Sequence, residues 1–146
     1  MVVKRLKAEM AERAGLFREL VDRFGSGVLD VVSQRTIEQT QARLETADLE
    51  RRDLDSVMEL LWDQMVPGTE FVVEERNSEV LRLRVTKCLF ADEMRRLEAA
   101  DIGDAFYCAY DYGFCRGLNP AIRFTRTKTL MNGDECCNHT YKLEKD

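Results

Sequence analysis

Two periods of apolar residues divide the chain. Over residues 1–66 they recur every three or four positions, the spacing of one face of a helix; beyond that, several stretches alternate in the manner of strands. Leu6, Met10, Phe17, Leu20, Val21 and Phe24 predict a first helix, interrupted by Gly25 and Gly27. A second is expected from Val28 to Ala47 on Val31, Val32, Leu44 and Ala47, although its middle, SQRTIEQTQ, is unusually polar. Leu54, Val57, Met58, Leu61 and Met65 make one stripe with Trp62 beside it, a third helix stopped by Pro67-Gly68.

The later half predicts strands and helices together. EFVVEER and EVLRLRVTKC flank Asn77-Ser78 as a hairpin, and Leu81, Leu83 and Val85 alternate with Arg82, Arg84 and Thr86. ADEMRRLEAA and GDAFYCAYDYGFCRGL read as helices, the second closed by Asn119-Pro120. AIRFTRTKTL, the turn MNGD and ECCNHTYKLE then predict a second hairpin, because Asn132 and Gly133 tolerate positive φ. The resulting expectation is an α+β fold. N-terminal helices pack with a four-stranded antiparallel sheet of two hairpins joined by two helices. The chain is expected to be a single domain over 1–146, with a helical half 1–66 and an α+β half 67–146.

Composition narrows the partners. A chain of 146 residues with 45% apolar and 34% charged residues suits one core, and apolar residues throughout argue against long disorder. A net charge of −5 makes no global case for nucleic acid. The local basic group Arg123, Arg126 and Lys128 suits a small anionic ligand better than a phosphate backbone. No stretch approaches the roughly 20 apolar residues of a membrane helix. The opening MVVKRLKAEMAERAGLF has no apolar secretory core and carries acids, so a cytoplasmic location is expected. There the five cysteines should be thiols. Cys136 and Cys137 point to opposite faces of an extended strand and are not expected to bond to each other. The amphipathic helix over residues 2–24 is a candidate homodimer surface.

Candidate chemistry concentrates near the C-terminus. Cys137, His139, Tyr141 and Leu143 share one face of the last strand, and Cys136, Asn138 and Thr140 the other. A thiol and an imidazole two residues apart on one face suit a nucleophile with a base, or two metal ligands. Asp104, Cys108, Asp111 and Cys115 are spaced to lie along one helix face, and Cys88 ends its strand. The spacing is not that of a zinc finger or ribbon. Free cysteine also packs as a small apolar residue, which is the favoured reading of Cys108 and Cys115 inside AFYCAYDYGFC. For Cys88 the two readings stand level, and for Cys137 with His139 function is favoured. Arg123, Arg126 and Lys128 are more often a solvated strand face than a carboxylate clamp.

The runs TKCLFADEMRRL, CAYDYGF and NPAIRFTRTKTLMNGDECCNHTY resemble the L-2-amino-thiazoline-4-carboxylic acid hydrolase family. The features that carry the likeness are a cysteine after a strand, a Cys-x-x-Asp helix and an R-x-K-T-L-x-x-G-D-x-C-C hairpin followed by histidine or an aromatic residue. Here they fall on Cys88, on Cys108 and Asp111, and on Arg126, Lys128, Thr129, Leu130, Gly133, Asp134, Cys136, Cys137 and His139. The likeness covers the C-terminal half; the helical half matches in general character. It implies a small hydrolase that opens a cyclic amidine ring to give N-carbamoyl-cysteine. It also implies site roles: Cys137 as nucleophile or ligand, His139 as base or ligand, Asp111 as orienting or proton-carrying group, and Cys108 and Cys88 lining the pocket. Arg126 or Lys128 would hold the substrate carboxylate. A divalent metal such as zinc has Cys88, Cys108, Cys137 and His139 as candidate ligands. The hairpin also looks like the ending of 4-vinyl reductase-type domains, which keeps a non-catalytic module binding a small ligand or metal as the alternative.

Overall fold

The computed structural model describes residues 1–144. Helices α1 (Val2–Phe24) and α2 (Gly27–Thr46) form an antiparallel pair, followed by α3 (Leu54–Leu60) and a short 3-10 turn, Trp62–Gln64. Asp53 caps α3: its carboxylate accepts the Ser56 N–H at 3.0 Å, and the Ser56 hydroxyl oxygen accepts the Asp53 N–H at 3.2 Å. Strands β1 (Glu70–Arg76) and β2 (Val80–Lys87) come next, then α4 (Leu89–Arg96) and α5 (Ala100–Gly103). A π turn (Asp104–Cys108), α6 (Tyr110–Leu118), β3 (Ile122–Thr125) and β4 (Cys137–Leu143) complete the order. The fold is α+β, with one antiparallel sheet in the order β1-β2-β4-β3.

Alternation decides which face of that sheet is buried. Leu81, Leu83 and Val85 of β2 stand opposite Tyr141, His139 and Cys137 of β4, and cross-strand partners share a face. All six are buried, together with Leu54, Val57, Met58 and Trp62 from α3 and its turn and with Phe114, Cys115 and Leu118 from α6. A second apolar cluster joins Met10 and Ala14 of α1 to Leu89 and Met94 of α4, Ile102 and Met131. Cys88 and Leu130 touch both clusters.

The polar middle of α2 has a packing reason. Thr36 and Thr40 donate their hydroxyls to the carbonyls of Val32 and Thr36 at 2.8 and 2.7 Å, so they need no outside partner. The same stretch meets α6 at Gly113 and Gly117, where a Cβ would stand 2.9 Å from Thr40 Cβ and 2.8 Å from Leu44 Cβ. These helices meet backbone to backbone, so the contact needs small residues rather than a wide apolar stripe.

Two sequence expectations change in the later half. The strand expected over AIRFTRTKTL ends at Thr125. Beyond it, the Asn138 side-chain oxygen accepts the N–H groups of Thr127 and Lys128 at 2.9 and 2.7 Å, and Asp134 accepts that of Thr129 at 2.9 Å. Side-chain acceptors thus replace a strand partner, and Met131 drops into the second cluster. Gly133 keeps the positive φ expected of it, 94°. The long helix expected from Gly103 to Leu118 is broken by the π turn, in which the Ala109 N–H reaches the Asp104 carbonyl five residues back at 2.9 Å. The extra residue in that turn shifts the helical phase. Asp104 is consequently exposed and does not share a face with buried Asp111 and Cys115.

Candidate active site

Five stretches of the chain line a cavity of about 350 Å³. The 3-10 turn and the loop after it supply Trp62, Met65, Val66 and Thr69. The end of β2 and the residues after it supply Val85, Cys88 and Phe90. The π turn and α6 supply Phe106, Tyr107, Cys108, Tyr110 and Asp111. The loop between β3 and β4 adds Arg126 and Met131, and β4 adds Cys137 and His139. Most of the wall is aromatic or aliphatic, with a small polar group set among it, the usual composition of a small-molecule site. Three of the five thiols therefore meet the imidazole at one cavity. Cys115 lies in the core beneath the sheet, and Cys136 is buried away from the cavity lining; all five cysteines are free.

Arg126 and Asp111 form the charged centre. Arg126 Nη1 donates to Asp111 Oδ2 at 2.6 Å, and Nη2 to the Cys108 carbonyl at 3.1 Å. The two side chains are 5% and 12% exposed. The guanidinium also lies over the rings of Tyr112 and Phe124, 5.4 and 5.3 Å from their centroids. Burial raises the Asp111 carboxyl to about 6 while Arg126 pulls the other way, so the pair is ionised near neutrality. Lys128, the other candidate for a substrate carboxylate, lies outside the cavity. Its ammonium bonds Glu135 at 2.6 Å, and its side chain is 48% exposed.

His139 sits on the inward face, as alternation predicts, but its acceptor nitrogen is occupied. Trp62 Nε1–H donates to the Tyr141 hydroxyl oxygen at 3.1 Å, and that hydroxyl lies 3.1 Å from His139 Nδ1. An indole N–H can only donate, so the Tyr141 proton is free to go to Nδ1. The arrangement that satisfies all three groups leaves His139 neutral with its proton on Nε2. Desolvation, with Arg126 nearby, lowers its pKa from 6.5 to about 3. An edge-on contact with Trp62, 4.8 Å between centroids, fixes the ring further. This imidazole offers the cavity an N–H donor and is a poor base.

The thiols rest protonated. Burial pushes Cys137 up to about 11, against the Leu130 N–H that donates to its sulfur at 3.2 Å. Burial likewise raises Cys88, and Cys108 more strongly. A thiolate here requires a cationic group to arrive with the ligand or a proton acceptor on it. Among the described residues no three histidine, cysteine, aspartate or glutamate side chains are grouped to hold a metal ion. The sulfurs and imidazole share the cavity without forming such a cluster.

The sequence profile of the L-2-amino-thiazoline-4-carboxylic acid hydrolase family matches residues 4–141. The chain belongs to that family. The match extends the likeness seen in the C-terminal half across the N-terminal helices. No curated protein and no solved structure matches the chain. Within this hydrolase family member, Trp62 and Thr69 line the cavity and Tyr141 bonds two of its wall groups, and sequence reasoning gave none of the three a place in the site. Tyr141 was visible as the next inward position of β4. Trp62 entered only as a neighbour of an apolar stripe. Thr69 carries no sequence signal, yet its Oγ1 is a buried side-chain atom without a hydrogen-bond partner, on the cavity wall. No helix among the described residues is long and apolar enough to cross a membrane.

Proposed function

We propose that this chain opens the ring of a carboxylate-bearing cyclic amidine by hydrolysis inside the cavity. The observation that carries the reading is the buried Arg126–Asp111 pair on the same wall system as Cys137 and the neutral His139. Arg126 receives the substrate carboxylate with the N–H groups that Asp111 and the Cys108 carbonyl leave free. Cys137 adds across the ring C=N bond, forming S–C and passing its proton to the ring nitrogen. The substrate thus provides the proton acceptor that the protein lacks beside this thiol. A nitrogen lone pair on that carbon then forms C=N as the bond to the ring sulfur breaks, and the departing sulfur takes a proton from that nitrogen to become a thiol, leaving a neutral isothiourea on Cys137. Water adds to the isothiourea left on Cys137: its oxygen bonds to the carbon and one proton goes to nitrogen. Collapse to the urea carbonyl returns the second proton to the Cys137 sulfur. Asp111 carries protons in this last stage, and the His139 Nε2–H donates to the charge that develops.

The test is single-turnover ring opening of 2-amino-thiazoline-4-carboxylate, with mass spectrometry of the intact protein. Wild type should form a Cys137 adduct, and Cys137→Ala should lose turnover by about two orders of magnitude or more while retaining its circular dichroism. Full activity in Cys137→Ala removes the nucleophile. Saturable binding of the ring acid without turnover by wild type instead identifies a binding module.

A further inference from the structure

The cavity is larger than the acid that gives the family its name, and the excess is apolar. That acid has nine non-hydrogen atoms. Even granting each the roughly 30 Å³ share of a whole water molecule, it fills at most about 270 Å³. Bonded atoms take roughly half that share, so more than half of the 350 Å³ would be left over. The polar groups, Arg126, Asp111, Cys137 and His139, account for the ring and its carboxylate. Most of the remaining wall is apolar, Trp62, Met65, Val66, Phe90, Phe106 and Met131 among it, and none of it is charged. A small polar ring alone would leave those side chains facing water, and apolar surface of this kind is stabilised by covering it.

We infer that the substrate is a cyclic amidine acid bearing an apolar substituent of aryl size, with the substituent between Trp62, Met65, Phe90 and Phe106. The inference rests on the proposed ring-opening reading for the position of the polar end. The apolar share of the cavity lining stands independently of that reading. Methionine and aromatic side chains make an adaptable, polarisable wall suited to a flat group. The free Thr69 Oγ1 offers one further polar contact at this wall. Specificity then comes from binding energy remote from the reacting carbon, which an enzyme can use to align that carbon with its nucleophile.

The experiment compares the unsubstituted ring acid with its phenyl-substituted analogue, and adds calorimetric binding of a non-reactive phenyl-substituted ring carboxylate. The expected result is a kcat/KM for the phenyl analogue at least tenfold above that of the parent. Val66→Trp, which fills the compartment, should lower that ratio to about one. Equal or better turnover of the parent overturns the substituent while leaving ring opening intact. If neither ring is opened, the reading of the reaction fails, and calorimetry decides the compartment separately. Micromolar binding of the non-reactive phenyl acid, weakened at least tenfold by Val66→Trp, upholds it. Binding no tighter than that of an unsubstituted ring carboxylate overturns it.

Discussion

His139 is the only histidine in the chain, so its protonation can be followed without assignment ambiguity. The ring is 3% exposed, and its pKa falls from 6.5 to about 3, first because burial disfavours the charged form and then because Arg126 is near. A histidine with a depressed folded-state pKa is protonated first in the unfolded chain. The stability it contributes is therefore full above 6.5 and drains as pH falls toward 3. At about pH 4.5 the unfolded-state pKa lies two units above the solution pH, while the folded-state value is still below it. Two units correspond to a loss of ~2.7 kcal/mol relative to neutral pH. Urea unfolding of wild type and His139→Gln at both pH values isolates this contribution. The glutamine oxygen can still accept from Tyr141, and other titrating groups are common to both chains. The acid loss should be smaller in His139→Gln by about that amount. Nitrogen NMR of the single imidazole should show the Nε2–H tautomer at neutral pH, and no titration until well below pH 5. A ring that titrates between 6 and 7 in the folded protein, or a proton on Nδ1, refutes the Trp62–Tyr141–His139 chain. Identical pH slopes in the two proteins refute the energetic argument.

The two cations of the R-x-K-T-L run should separate sharply. Arg126→Gln leaves Asp111 buried without its partner, which costs ~3–5 kcal/mol of stability, and should raise KM for a carboxylate substrate; Lys128→Gln should leave both unchanged, because its ion pair is exposed. Equal effects in melting and kinetic assays would show that the carboxylate is held elsewhere. Gly113→Ala places a Cβ against Thr40 and the α2 backbone and should cost ~1–3 kcal/mol in chemical denaturation, whereas Gly15→Ala, where nothing lies within 4 Å of the added carbon, should be neutral or stabilising. A neutral Gly113→Ala would contradict the close α2–α6 contact.

Much of the candidate site was legible because strand alternation is a local rule. Cys137, His139 and Tyr141 share the buried face of β4 as the sequence pattern requires, opposite Val85, Leu83 and Leu81. The helices of the first half and the pairing of two hairpins into one sheet follow from the apolar period in the same way, although the third helix, expected to run on to Pro67, ends at Leu60 and passes into the 3-10 turn Trp62–Gln64. Arg126 is instructive in the other direction. Its sequence context, alternating with Thr125 and Thr127, resembles a solvated strand edge, yet the strand ends one residue before it and the side chain turns in to Asp111. Lys128, two residues on, faces out to Glu135.

The amino-acid sequence on its own determined most of the elements, the inward face of β4 and the family, since each depends on neighbours along the chain. Only the tertiary structure decided which thiols meet the imidazole, that Arg126 is the buried cation, and that the Tyr141 hydroxyl stands within hydrogen-bond reach of His139 Nδ1. Those outcomes depend on desolvation and on hydrogen bonds between residues as far apart as Trp62 and Tyr141. A π turn that shifts helical phase, and a loop held by Asn138 and Asp134, are what bring the partners together. No periodicity in one segment encodes the electrostatic surroundings that other segments provide.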